Sequence, residues 1–226
     1  MSNKTHFSHL ESEFSEFKNK LLVMASHAES IMATAVRSVI ERDTSLANDA
    51  EAADSIIDRL EMEMDDLGIK ILSQAPLARD LRMITSGMKI AKDLERVGDE
   101  STTIARQARV MAEAPNSQTP ERIPEMAKMV GNMLSQSLSA FVSGNTQSAK
   151  AVIKQDKKVD ALNKEVRSVS VQAITENKLT ADSGLNHIAI ARCLERIGDH
   201  AKNIARDVVY LFEAKDIRHP KLPSNS

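Results

Sequence analysis

Glu95 and Asp99 stand four residues apart, and Glu195 and Asp199 repeat the arrangement one hundred residues later. Upstream of each pair lies another with the same spacing, Asp54 with Asp58 and Asp156 with Asp160. On a helix, residues four apart sit one turn above the other on a single face. Like charges so placed cost a helix a few tenths of a kcal/mol, and more where two such helices meet. A hard cation removes that cost, because it takes several carboxylate oxygens at once. The eight acids are therefore candidate metal ligands. A second reading comes from the same stretch. Lys92 and Arg192 precede the glutamates by three residues, and Arg96 and Arg196 precede the aspartates by three. A ladder of surface ion pairs would have this pattern too. The residues alone leave both readings open.

Whatever the acids do, long helices must position them. The few glycines and prolines fall mainly at breaks: Pro76, Pro115 to Pro120, Pro124, Gly144-Asn145 and the stretch 178–184. Between them the sequence predicts six helices, over about 6–42, 44–74, 77–112, 121–143, 146–176 and 182–214. Asp43 and Asn145 are suited to cap the second and fifth. Ala53, Ile57, Leu60, Met64, Leu67 and Ile71 alternate spacings of four and three, and Gln155, Val159, Leu162, Val166, Val169 and Ala173 repeat them at an offset of 102. The segments Ile90–Asp99 and Ile190–Asp199 agree at seven of ten positions at an offset of 100. This is an internal duplication. The expected fold is all-α: two tandem pseudosymmetric antiparallel three-helix bundles, with residues 1–112 the first repeat, 113–124 a linker, 125–214 the second repeat and 215–226 a tail.

Within the third helix, Ala91, Leu94, Gly98, Ser101, Ala105 and Ala108 form an apolar seam, which Ile90, Val97 and Ile104 broaden. Glycine inside a helix costs about 1 kcal/mol relative to alanine. Gly98 and Gly198 both bear that cost, each immediately before the aspartate. Close approach of a neighbouring helix explains them, and would draw the carboxylates of the two helices together. Glu61 and Asp65 extend the acidic flank in the first repeat, whereas Asn163 and Arg167 replace them in the second.

Composition narrows the function classes. The chain has 226 residues, 42% apolar and 27% charged, with 3% aromatic and no tryptophan, which suits aliphatic helix seams. A formal charge of −2 offers no general attraction for nucleic acid. Cys193 is the single cysteine, so no intramolecular disulfide forms. Nowhere do 18 consecutive apolar residues occur, and Met1 to Phe17 is polar, so a soluble, cytoplasmic protein is expected. There is no phosphate-binding glycine loop, no Cys-x-x-Cys and no Glu-x-x-His pair of the di-iron kind. His187, His200 and Cys193 are read as helix residues outside the acidic set, and the eleven methionines mostly as seam filler.

Leu94-Glu95-Arg96-Val97-Gly98-Asp99 and Leu194-Glu195-Arg196-Ile197-Gly198-Asp199 resemble the paired signature of the PhoU family. Ala78-Arg79-Asp80-Leu81-Arg82, Asp156-Lys157-Lys158-Val159-Asp160 and Asp216-Ile217-Arg218-His219 extend the resemblance over nearly the whole chain. It implies a cytoplasmic, non-enzymatic regulator of phosphate uptake and phosphate-starvation signalling, with a phosphate ABC transporter and a sensor histidine kinase as partners and a homodimer as the expected assembly. It further implies metal on the acidic motifs, iron or zinc in some members and magnesium or manganese in others. The ligands carried over are Asp54, Asp58, Glu95 and Asp99, then Asp156, Asp160, Glu195 and Asp199. Thr103 stands where the second repeat has Asn203, so the two sites are expected to differ. Two alternatives remain: a structural helical adaptor whose acids form only ion pairs, and a carboxylate-bridged metalloenzyme.

Overall fold

A computed structural model describes residues 2–74, 78–113 and 120–217, with side chains from residue 10 onward. Six helices follow one another: α1 (Ser2–Glu41), α2 (Thr44–Leu72), α3 (Ala78–Glu113), α4 (Arg122–Ser143), α5 (Thr146–Thr175) and α6 (Ala181–Glu213). Each predicted helix is present, and among the described residues there is no strand. Pro76, residues 114–119 of the linker and residues 218–226 of the tail lie outside the described residues.

The sequence breaks act through local chemistry. Asp43 caps α2 by accepting a hydrogen bond from the Ser45 amide, and Asn145 caps α5 by accepting one from the Ser148 amide. Gly144 ends α4 in the left-handed conformation, at φ 67°, where a side chain would be strained. None of the described helices is long and apolar enough to cross a membrane.

Helices α1, α2 and α3 form one bundle, and α4, α5 and α6 the other. The seam read from α3 is buried throughout, from Ile90 and Ala91 to Ala108. In α2, Ile57, Leu60, Met64, Leu67 and Ile71 point inward, as the spacing requires. In the second bundle Val159, Leu162 and Val166 are buried, but Gln155 and Ala173 are only partly so. Val169, expected in the seam, is 54% exposed, and Ser170 turns inward instead. The reason is length: α4 has 22 residues against 40 in α1. Arg122, at the start of α4, pairs with Glu165 at 3.0 Å, so the last turns of α5 extend beyond it and lose their third helix.

The two bundles join chiefly through α3 and α6, and more lightly through α1 and α4. Arg196 donates to Glu100 at 2.8 Å, and Nδ1 of His200 lies 2.8 Å from Asp93 Oδ1. Residue numbers rise along one helix as they fall along the other, so α3 and α6 run antiparallel. Cys193 sits on the same boundary, with its thiol against Glu100. The pairs Asp93–His200 and Glu100–Cys193 thus occupy corresponding places in the two repeats.

Candidate functional site

Helices α2 and α3 bring the first acidic set to one flank of the first bundle. Gly98 makes the approach possible, since a Cβ there would come within 2.6 Å of Asp54 Oδ1. That oxygen is buried and accepts no hydrogen bond. Burial first, then the charges of Asp58, Asp99 and Glu95, push the Asp54 carboxyl up to about 6, against the opposing charge of Arg106. The four acids are therefore electrostatic neighbours. Among the described residues, the bases that pair with them belong to α3. Lys92 lies 3.2 Å from Glu95 and 3.0 Å from Glu61, and Arg96 lies 2.9 Å from Asp99. Arg96 is also within 3.4 Å of Glu95 Oε2, an oxygen at ion-pair distance from two cations that accepts no well-directed hydrogen bond. Among the described ion pairs, none reaches Asp54 or Asp58.

The predicted ladder is thus real on α3 of the first bundle, where it engages Glu95 and Asp99. It does not recur in the second. Arg196 turns away from Asp199 and bonds Glu100 across the bundle boundary. Lys202 takes over instead. Its ammonium donates to Asp156 Oδ2 at 2.8 Å and also contacts Asp199 Oδ1, tying α5 to α6. Burial opposes the charge on Lys202, but the hydrogen bonds and charges of these two aspartates outweigh it and hold the ammonium above its usual range. Glu195, beside the group, is raised by burial and then by Asp199, Asp160 and Asp156, with Lys202 acting the other way.

The residue matching Lys202 in the first repeat is Thr102, whose hydroxyl donates to its own helix at Asp99 O. This exchange, legible at the 100-residue offset, was not among the sequence expectations, which singled out Thr103 and Asn203. Thr103 also bonds Asp99 O, and Asn203 reaches Asp93 on α3 rather than the acids. The two acidic sets do differ, most directly at position 202 and its counterpart Thr102.

Both acidic sets share a flank, yet their oxygens do not close into a cage. Among the described residues, no three His, Cys, Asp or Glu side chains are gathered to hold a metal ion as they stand. In the first bundle, rotation of Glu95 and Asp99 toward Asp54 would break only pairs with Lys92 and Arg96, which are half exposed, and such pairs contribute about 0–1 kcal/mol. The Asp54 oxygen is unpartnered, and the charges of Asp58, Asp99 and Glu95 near it all have its own sign. Hard oxygen ligands of this kind suit divalent or trivalent ions. His187 lies outside the set, buried with neither ring nitrogen hydrogen bonded.

Comparison with known proteins covers both halves. A family model described as "PhoU domain" matches residues 21–108 and again 123–208. The phosphate-specific transport system accessory protein PhoU homolog of Pseudomonas putida is 34% identical, over 97% of this chain and 88% of that protein. The homolog of Pseudomonas aeruginosa is 33% identical, over 97% and 93%. The crystal structure of PhoU from Pseudomonas aeruginosa superposes with a TM-score of 0.88 at 33% identity, over 91% of this chain and 99% of that one. The PhoU structure from Streptococcus pneumoniae, at 22% identity and a TM-score of 0.84, shares the fold. With two domain matches, whole-length relatives and a superposable crystal structure, this chain belongs to the PhoU family.

Proposed function

We propose that this protein regulates phosphate uptake and holds phosphate-starvation signalling off when phosphate is ample, acting in the cytoplasm on a phosphate ABC transporter and its sensor histidine kinase. The observation that carries the reading is the whole-length likeness to phosphate-transport accessory proteins, which extends through both repeats. Rigid helical rods with broad faces suit a protein that works by contact with other proteins. Metal binding is the second part of the reading. Asp54, Asp58, Glu95 and Asp99 would hold the ion in the first bundle, where it would neutralise the carboxylates and join α2 to α3. Asp156, Asp160, Glu195 and Asp199 are the matching set in the second. Support comes from the unpartnered Asp54 oxygen and from the mutual repulsion within the first set.

Deletion of the gene tests the regulatory role: starvation genes switch on, or phosphate accumulates, in phosphate-replete cells. Unchanged uptake and unchanged expression would count against it. Replacing Glu95, Asp99, Glu195 and Asp199 by alanine should reproduce the deletion while the protein stays folded. The ion pairs Lys92–Glu95 and Arg96–Asp99 favour a second reading, an adaptor whose acids only pair with bases. Metal analysis of protein purified without chelator separates the two.

A further inference from the structure

We infer that Lys202 is a built-in counter-cation that takes the place of a metal ion in the second bundle, so that the chain binds metal in its first bundle alone. The inference rests on the metal reading of the first bundle given above.

A metal in either bundle would have two tasks: to neutralise clustered carboxylates and to link two helices. In the second bundle Lys202 already performs both. Its ammonium lies between Asp156 on α5 and Asp199 on α6, at 2.8 Å from the former. The lysine side chain is only 15% exposed and Asp156 17%, so this is not a mobile surface pair. In the first bundle, Thr102 brings no charge, and its hydroxyl is spent on its own helix. Lys92 and Arg96 stay at the outer edge, half in water, and among the described ion pairs none reaches the α2 aspartates, although the charge of Arg106 acts on Asp54 from a distance.

Beside Lys202 opens a pocket of about 460 Å³ lined by bases, Arg196 and Arg206, and by acids, Glu100 and Asp199. An incoming cation would have to displace an ammonium held by two carboxylates. Lys202 occupies one oxygen of each aspartate, and its positive charge repels a divalent ion brought to the remaining ones.

The test counts manganese(II) ions on the full-length protein by calorimetry and by electron paramagnetic resonance, with helicity followed by circular dichroism. The unaltered chain should bind about one ion, and Lys202→Thr, which copies Thr102, should bind about two. Lys202→Gln keeps a donor for Asp156 and serves if the threonine variant loses its fold; it too should gain an ion. Asp54→Asn should remove the ion of the unaltered chain yet leave the one gained by Lys202→Thr. Two ions on the unaltered chain, or a count that neither substitution at 202 changes, overturns the inference. No ion on the unaltered chain but one on Lys202→Thr refutes the metal reading of the first bundle while upholding the role of Lys202. No ion on any of these proteins overturns both.

Discussion

The carboxylate of Asp54 rests against the backbone of Gly98, so close that a Cβ on Gly98 would lie 2.6 Å from Oδ1 and 3.2 Å from Ile57 Cδ1. Gly198 has no such neighbour: the nearest atom to its Cβ would be Val159 Cγ1 at 3.4 Å, an ordinary contact. One sequence feature, a glycine before the aspartate in each repeat, thus has two different meanings. In the first bundle it admits a carboxylate; in the second it faces aliphatic carbon.

The two glycines should therefore respond differently to alanine. Gly198→Ala gains helix propensity worth up to about 1 kcal/mol and meets no obstruction, so it should raise the melting temperature. Gly98→Ala gains the same propensity but must push Asp54 aside. It should fall at least about 1 kcal/mol below Gly198→Ala in urea melts. It should also weaken manganese binding by the first bundle. Equal stability of the two variants would show that the Asp54–Gly98 contact imposes nothing.

Much of this was legible in the sequence. Spacings of three and four marked the helices, and the offset of 100 aligned the acids. What escaped were the partners of the charged flanks. Arg196 and Arg96 hold the same position in the repeat, yet Arg196 reaches Glu100 of the other bundle while Arg96 pairs with Glu95 and Asp99 of its own helix. A helical flank carries charges in either case, so periodicity cannot say which flank meets a second bundle. The fate of Val169 was hidden for a similar reason: it depends on where α4 begins, which is a property of another segment.

Stability without added metal should fall as pH rises from about 4 to about 6, to the extent that Asp54 controls it. Below this window Asp54 is protonated in both states. Within it the unfolded carboxylate ionises while the folded one, raised to about 6, keeps its proton, so the folded state binds more protons and loses ground with rising pH. Above it the penalty is complete, on the order of 2 kcal/mol with allowance for partial solvation. Asp54→Asn removes the penalty. The difference between its stability and that of the unaltered protein should be near zero at pH 4 and grow to its full value by pH 7. A difference independent of pH would contradict the assignment.

Cys193 should be inert in the folded protein. Burial first, and then the carboxylate of Glu100, push its thiol up to about 12, and only 5% of the residue is exposed. The thiolate is the reactive species, so both its population and its access are suppressed. A thiol reagent at pH 8 should label the protein only as fast as it unfolds, and denaturant should accelerate labelling in step with loss of helicity. Rapid labelling of the folded chain would show that the α3–α6 boundary opens readily.

His187 should be a liability to the fold. It is 1% exposed, neither ring nitrogen has a hydrogen-bond partner, and burial lowers its affinity for a proton. A buried polar group left unsatisfied costs about 1–3 kcal/mol, whereas an apolar replacement of similar size can be neutral or stabilising. His187→Met should therefore raise stability at neutral pH by about 1 kcal/mol or more. The pH dependence gives a second check with a definite sign. Because the folded-state value lies below that of the unfolded chain, the unfolded chain binds more protons as pH falls through the ordinary histidine range. The histidine then favours unfolding in acid, and the stability it costs grows as pH drops below about 6.5. The methionine variant has no such loss, so its advantage should widen from pH 7 to pH 5. Parallel melts at the two pH values decide the matter: an advantage that narrows toward pH 5, or a variant less stable at both, would mean that His187 has a partner in solution.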